Sequence, residues 1–393
     1  MDSTQIMTNI KLGGRLSLAY DVLEQAVRTC PEDILTESHK RILDSNYRTD
    51  VLYHTKGNEA RMQRLQEMIN LGSQLLDIVE SRPDIGDKRG IAILRRFIPE
   101  QAYLEVNTKT WIAKDNKYIA ADSLQSAYDE DVTYRKKAGK GHVGLVTNLS
   151  ETCADENPVQ FVTDYTVEKN VKSDTEMLEE RIEDIKDRTG LTDLNTDGGY
   201  FGGTIEARSR DTDVEVHYTN MTGSQPDDQK IPITSFVIKD GTKVEACPQG
   251  HPPISCQFNN SNKVILACFS LDHCAACPLQ GACPVQMRKN NAVLRVEQNK
   301  LFVAEAREKY EDKNARQEAG RKRAAIEGTN SALKRSQGAG KLRVRGIAKA
   351  RVVMGLKIIG HNFKQFVNFF NGNTRNKHTK KPIRPRKGVI APT

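Results

Sequence analysis

Residues 142–152 (HVGLVTNLSET) and 159–167 (VQFVTDYTV) alternate apolar β-branched positions with polar ones, and Asn157-Pro158 stands between the two runs. A period of two sends successive side chains to opposite faces, so the pair predicts a β-hairpin with one face to bury. A half-apolar sheet needs covering layers, and the following residues supply them. Residues 174–188 read as an amphipathic helix with Met177, Leu178, Ile182 and Ile185 inward. A short strand at 191–195 then leads into Thr196-Asp197-Gly198-Gly199-Tyr200, followed by a helix near 204–208 and a strand at 214–218. This order predicts an α/β (α+β) fold built on a mixed sheet.

The remaining segments arrange themselves around that core, 121–221. Residues 13 to about 100 read as helical. There Leu16, Ala19, Val22, Leu23 and Val27, and later Met62, Leu65, Met68 and Ile69, recur at helical spacing. Residues 222–290 lose regular periodicity while prolines and cysteines concentrate, as in a small metal-held insertion. Helical patterns return over 291–370: one long helix at 298–336, a break at Gly338-Ala339-Gly340, and a last apolar helix at 346–370. Its stripe comprises Ile347, Val352, Met354, Leu356, Ile359 and Phe363. A basic tail, 371–393, is expected to be disordered. No apolar run approaches the ~20 residues of a membrane span, and nothing near Met1 resembles a signal peptide. No membrane partner is expected, and the expected location is cytoplasmic.

Charge divides the chain. From Arg321 to Thr393 there are 19 Lys or Arg and one acid, Glu327, giving +18, whereas the first 320 residues carry 40 basic and 50 acidic residues, or −10. A solvated face is the plain account of a charge run. Confinement of the positive charge to one end, closing in a tail from Arg375 to Lys387, points instead to a polyanion such as nucleic acid.

Two acids stand out by context. Asp197 follows an apolar strand and precedes two glycines, the place where open sheets put functional groups; an ordinary Asp-Gly turn is the alternative. Glu327 is the one acid in the basic region, and an ion pair with Arg323 a turn earlier is its plain explanation. At ~100° per residue, Arg323, Glu327, Asn330 and Lys334 fall within roughly 60° of one helix face. Ala319, Ile326 and Leu333 form a separate stripe that can anchor the helix.

Arg323-x3-Glu327-x6-Lys334 resembles the signature around the last catalytic Glu of DDE transposases from bacterial insertion sequences, with Gly320 where that signature has Tyr. Asp197-x-Gly-Tyr200 is similar to the family's second Asp, and Asp2-Ser3-Thr4-Gln5 to the first Asp of a cysteine-containing branch. The segment from Ser123-Leu124-Gln125-Ser126 through Tyr134 to Gly139 resembles the approach to that branch's sheet. The likeness runs over essentially the whole chain. It implies an RNase H-like core at 121–221, with 1–12 as what remains of its first strand and 13–120 as a helical insertion after that strand. It further implies catalytic Asp2, Asp197 and Glu327 holding Mg²⁺ or Mn²⁺. DNA contacts from Arg323, Asn330, Lys334, Arg335, Lys341, Arg343 and Arg345 are implied as well, with cleavage and strand transfer on element ends and target DNA. A homodimer is the candidate assembly. Because only Met1 precedes Asp2, the chain is expected to lack part of its first strand and an upstream helical domain. Asp2 is then expected to be held loosely at a frayed end and the chain to be inactive alone. The rival readings are a non-catalytic zinc-containing nucleic-acid-binding remnant and an RNA-processing nuclease on the same fold.

Eight cysteines occur, six of them between 247 and 283. Cys274-x2-Cys277-x5-Cys283 preceded by Cys247 offers four thiols for a structural, tetrahedral Zn²⁺. Cys256, Cys268, His251 and His273 compete for the fourth place. The related transposases share a Cys-Pro-x-Gly-His pattern, which favours Cys247. Cys30 and Cys153 lie elsewhere and read as structural.

Overall fold

A computed structural model describes residues 1–137, 139–223, 227–310 and 313–375. Strand β1 (Asp2–Ile6) is followed by six helices: α1 (Arg15–Thr29), α2 (Glu37–Arg41), α3 (Ser45–Thr49), α4 (Asn58–Glu80), α5 (Pro83–Gly86) and α6 (Arg89–Gln101). Their apolar faces close on a core of Tyr20, Leu23, Ile69, Leu75, Ile91 and Phe97. The small hairpin β2 (Ala102–Glu105) and β3 (Thr110–Ala113) ends this helical body.

The sheet is completed beyond it. β4 (Thr133–Lys137) and β6 (Val162–Lys169) both pair antiparallel with the twelve-residue β5 (Lys140–Glu151). β1 lies on the other side of β5, with Asp2 opposite Leu149 and Ile6 opposite Leu145. The hairpin read from the alternation is therefore present, and 133–137 adds a strand whose Tyr-Arg-Lys-Lys sequence gave no apolar alternation. The helix expected over 174–188 breaks into α7 (Asp174–Glu179) and α8 (Ile182–Thr189). Arg181 at the junction donates from Nε to Asp164 of β6 at 3.2 Å, a tertiary contact that periodicity cannot report. β7 (Asp193–Thr196), α9 (Gly203–Asp211) and β8 (Glu215–Tyr218) follow, with β7 and β8 parallel. The Met1 amino group donates to the Asn195 carbonyl at 2.7 Å, which sets β1 beside β7.

Residues expected to lack regular structure instead form strands: β9 (Val237–Lys239), β10 (Lys243–Ala246), β11 (Ser255–Asn259), β12 (Val264–Phe269), the short helix α10 (Leu271–Ala275), β13 (Gln286–Met287) and β14 (Ala292–Glu297). β11, β12, β14 and β13 make an antiparallel sheet in that order, so the Cys-rich unit runs past residue 290. Strands of two to six residues interrupted by Cys-Pro turns are too short to display a period. Helices α11 (Gln298–Tyr310), α12 (Lys313–Ser336) and α13 (Ile347–Arg375) complete the described chain. The basic tail expected over 371–393 begins within α13, which takes in 371–375; residues 376–393 lie outside the described residues.

Two cores flank the first sheet. On one face Ile6, Leu145 and Leu149 meet Ile326 and Leu333 of α12 and Ala350, Met354 and Ile358 of α13. On the other, Tyr200 packs with Leu178, Ile182, Ile205 and Val214, and its hydroxyl accepts from Asn148 Nδ2 at 3.0 Å. Beyond β1 the chain keeps pairing: Met7 N donates to Gly340 O at 3.0 Å, Leu342 N to Met7 O at 2.8 Å and Asn9 N to Val344 O at 2.9 Å. The first strand is thus laddered along its length and buried at Met1. The expected frayed end is not found, because β5 and the 340–344 segment satisfy its backbone.

Candidate functional site

Three elements meet where α12 crosses β1 and β7. Asp2 is the first residue of β1 and, by strand parity, shares the α12-facing side with Ile6. Asp197 follows β7 directly and caps its own turn, Oδ1 accepting from Gly199 N at 2.8 Å. Gly198 is held from outside this turn, its N–H donating to Asn220 Oδ1 at 2.7 Å. A Cβ there would lie 2.7 Å from both oxygens of Asn220, so only glycine fits. Tyr200, fully buried behind the turn, fixes its far side. The Asp-x-Gly-Tyr pattern thus has a local cause: the aspartate aims forward while the glycine and tyrosine hold the turn from behind.

Helix α12 brings Arg323, Glu327, Asn330 and Lys334 to this place on one face, with Ala319, Ile326 and Leu333 buried beneath. The Arg323 guanidinium reaches all three carboxylates. Nη1 is 2.9 Å from Glu327, while Nη2 is 3.4 Å from Asp197 and 3.6 Å from Asp2. Asn330 Nδ2 donates to Asp2 Oδ2 at 2.9 Å. Both plain alternatives are therefore present, the Asp-Gly turn and the Arg323–Glu327 pair, and both belong to one larger cluster.

Electrostatics sharpens the picture. Burial pushes the Asp2 carboxyl above the ordinary carboxylate range; Arg323 opposes this and Asp197 adds to it. Lys334 is half-buried and its ammonium pKa is lowered, chiefly by desolvation, with Asp2 partly restoring it. Asn330 Oδ1 and Arg323 Nε are buried without a protein hydrogen-bond partner, which leaves donor and acceptor capacity unspent beside the carboxylates. Three carboxylates and an amide oxygen around one cation are a hard-oxygen donor set of the kind Mg²⁺ or Mn²⁺ takes.

Two expected DNA contacts are placed differently from the rest. Arg323 is the hub of the carboxylates, and Asn330 is buried and holds Asp2. Arg335, Lys341, Arg343 and Arg345 are exposed and make a basic edge along 335–345. Arg345 donates to Asn9 O at 2.7 Å and lies over the Tyr128 ring.

The thiols gather separately. Cys247, Cys274, Cys277 and Cys283 line one pocket with His251 and His273, whose rings stack with centroids 4.6 Å apart. Tight turns present them: Cys277 N donates to Cys274 O, and Gly250 N to Cys247 O at 2.8 Å. Burial raises the Cys274 pKa, and the neighbouring Cys283, Cys247 and Cys277 raise it further. Burial raises Cys283 likewise. Crowded thiols that resist ionisation together are the group a dication would relieve. Cys256 and Cys268 sit in β11 and β12 instead, where the Cys256 sulfur accepts from Val244 N at 3.4 Å. Cys30 packs against the helical core, and Cys153 accepts from Asn195 Nδ2 at 3.6 Å.

Residues 246–367 match the family model of a transposase DDE domain. The match spans under a third of the chain. It includes Arg323, Glu327, Asn330, Lys334 and the four clustered cysteines, and leaves Asp2 and Asp197 outside. No curated protein and no solved structure matches. Among the described residues, one trio of metal-capable side chains has its ligand atoms within 4.8 Å of one another: Asp193, Glu215 and His217, on the exposed side of β7 and β8. That trio is internally paired, His217 with Asp193 at 3.0 Å and Glu215 with Lys309 at 3.2 Å. The thiols and the Asp2–Asp197–Glu327 set are more open, the latter with a guanidinium among its members. Sequence reasoning did not anticipate Arg323 as hub or Asn330 as a brace. Their shared helix face with Glu327 was the available signal.

Proposed function

We propose that this chain is a transposase that cleaves DNA and transfers strands, with Asp2, Asp197 and Glu327 as its metal-holding carboxylates. One observation carries the reading: carboxylates 195 and 130 positions apart in sequence meet at a single guanidinium, on a helix inside the segment that matches a transposase DDE domain. The strand sequence β6-β5-β1, antiparallel, continued by parallel β7 and β8, supports an RNase H-like core with a helical insertion after its first strand. When bound, Mg²⁺ or Mn²⁺ would activate the attacking water or 3′-hydroxyl and offset charge on the scissile phosphate.

The chain's own residues do the rest. Asn330 fixes the Asp2 rotamer through its amide. The Asp197 turn occupies Oδ1 and turns Oδ2 toward Arg323. Arg323 offsets part of the cluster's negative charge before substrate arrives and can turn to a phosphate oxygen, since a guanidinium matches either anion. Lys334 and the exposed edge at 335–345 offer phosphate contacts. Cys247, Cys274, Cys277 and Cys283 would hold a structural Zn²⁺, whose four protein ligands leave no catalytic position open.

A second reading draws on the same hub. Arg323 already bridges the carboxylates, as in a purely structural ion cluster, and this fits a zinc-containing nucleic-acid-binding protein without catalysis. The two separate on one assay: Mg²⁺-dependent nicking of linear DNA carrying the genomic sequence that flanks this gene. Wild type is expected to nick. Asp2→Asn, Asp197→Asn and Glu327→Gln are each expected to lose at least a hundredfold in rate while still binding the DNA. Nicking that survives all three substitutions, or a wild type that binds without nicking, would refute the catalytic assignment.

A further inference from the structure

We infer that the outward face of α13 is the docking surface for a second copy of this chain. The sequence places its apolar residues in one stripe, but the helix has two. Ala350, Met354 and Ile358 are buried against the sheet, and Asn362 ties the inner face to β6 by donating to Val162 O at 2.8 Å and accepting from Val162 N at 3.0 Å. Val352, Leu356, Ile359 and Phe363 face outward and are 62–67% exposed, with Phe366 at 46%. Phe370 continues the spacing. A helix lying on a domain normally turns polar residues outward, and a contiguous apolar strip of this length marks an interaction surface.

The spacing selects the partner. Steps of four, three, four and three residues average 3.5, the repeat of a coiled-coil seam, which an identical helix matches knob into hole. From 353 onward the residues flanking the seam, Val353, Gly355, Gly360, Asn362 and Val367, carry no charge, so like charge beside it is confined to Lys349 at the start of the helix. Two of the other cations on the helix are engaged inward, Arg351 with Glu168 at 2.7 Å and Lys357 with the Gln337 carbonyl, and the exposed Lys364 stands outside the flanking positions. The chain's own end is a poor occupant. Residues 376–393 hold six Lys or Arg and three prolines against only Ile383, Val389 and Ile390 as large aliphatics. Five partly exposed large side chains each have on the order of 100 Å² to bury. Two copies would remove roughly 1,000 Å², enough for a specific contact when both sides are well matched. The same patch on each copy gives a closed two-fold dimer.

The inference does not depend on the transposase reading: a monomer would leave nicking intact, and failure to nick would leave the dimer intact. The experiment is sedimentation of the full chain over a hundredfold concentration range. A dimer is expected at micromolar concentration. Leu356→Glu/Phe363→Glu, which alters exposed positions only, is expected to weaken it at least tenfold with unchanged circular dichroism. Should that variant misfold, the wild-type urea midpoint gives a second reading. It should rise with protein concentration, and in Leu356→Gln/Phe363→Gln it should not. A wild type monomeric throughout, a variant that dimerises equally, or a concentration-independent midpoint would each overturn the assignment.

Discussion

Asp2, one of the proposed metal-holding carboxylates, is a side chain whose burial acts against its own ionisation. Its carboxyl is held above the ordinary carboxylate range mainly by burial, with Arg323 only partly compensating. The folded state then keeps the proton to higher pH than the unfolded chain, whose Asp pKa is about 3.9. The contribution of Asp2 is therefore most favourable in acid and declines as pH rises from that value through the folded pKa. Asp2→Asn removes the titration while retaining an acceptor for Asn330. Thermal unfolding of this variant at pH 7 should occur no lower than in wild type, and its stability should fall less as pH is raised through the acidic range. A lower melting point at pH 7, with the pH dependence unchanged, would count against burial as the dominant influence. Much of this site could be read from sequence, because Glu327 is isolated among cations and Asp197 follows a strand. The meeting of Arg323 with Asp2 could not, since nothing in a sequence reports which carboxylate a guanidinium reaches across 320 intervening positions.

At the scale of elements, the parts with long regular repeats were legible and the parts with short ones were not. The β5–β6 hairpin and α12 announce themselves because eight or more residues sample the period. The sheet of β11, β12, β13 and β14 does not, and only its cysteines betrayed an ordered unit. Those thiols give the unit a testable dependence. Purified protein is expected to carry about one zinc per chain with zinc–sulfur distances near ~2.3 Å by X-ray absorption. Cys274→Ser/Cys277→Ser should abolish this metal and expose the Phe269–Leu294 core to proteolysis. Retention of full zinc by the double variant would show that other ligands hold it. Helix α13 illustrates a different limit: its periodicity shows an apolar helix, but not that Met354 and Leu356 point to different neighbours.

For the whole molecule the dominant long-range feature is charge, +18 over the last 73 residues against −10 over the rest. The acidic and basic parts are not segregated in space, since α12 crosses β1 and the 340–344 segment extends it. The exposed cations from Arg335 to Arg345 are open to phosphates, and the six Lys or Arg of 376–393 lie outside the described residues. Affinity for duplex DNA should fall steeply with salt as counterions are released. Deleting 376–393 should weaken binding to all sequences alike and flatten the salt dependence. Salt-independent binding, or an unchanged slope after the deletion, would place the DNA surface elsewhere.

The braces on β1 carry a consequence for timing. Asp2 is held by Asn330, 328 positions later, and Met7 by Gly340 and Leu342. During synthesis the first strand leaves the ribosome first but finds β5 only after 140 residues, and its remaining supports only after more than 300. At about 5–20 residues per second it waits on the order of tens of seconds. A nascent chain lacking α12 has two of the three carboxylates but neither Arg323 nor Glu327. The carboxylate cluster is therefore completed by nearly the last described helix to emerge, and a polypeptide released before α12 holds Asp2 and Asp197 without the residues that join them.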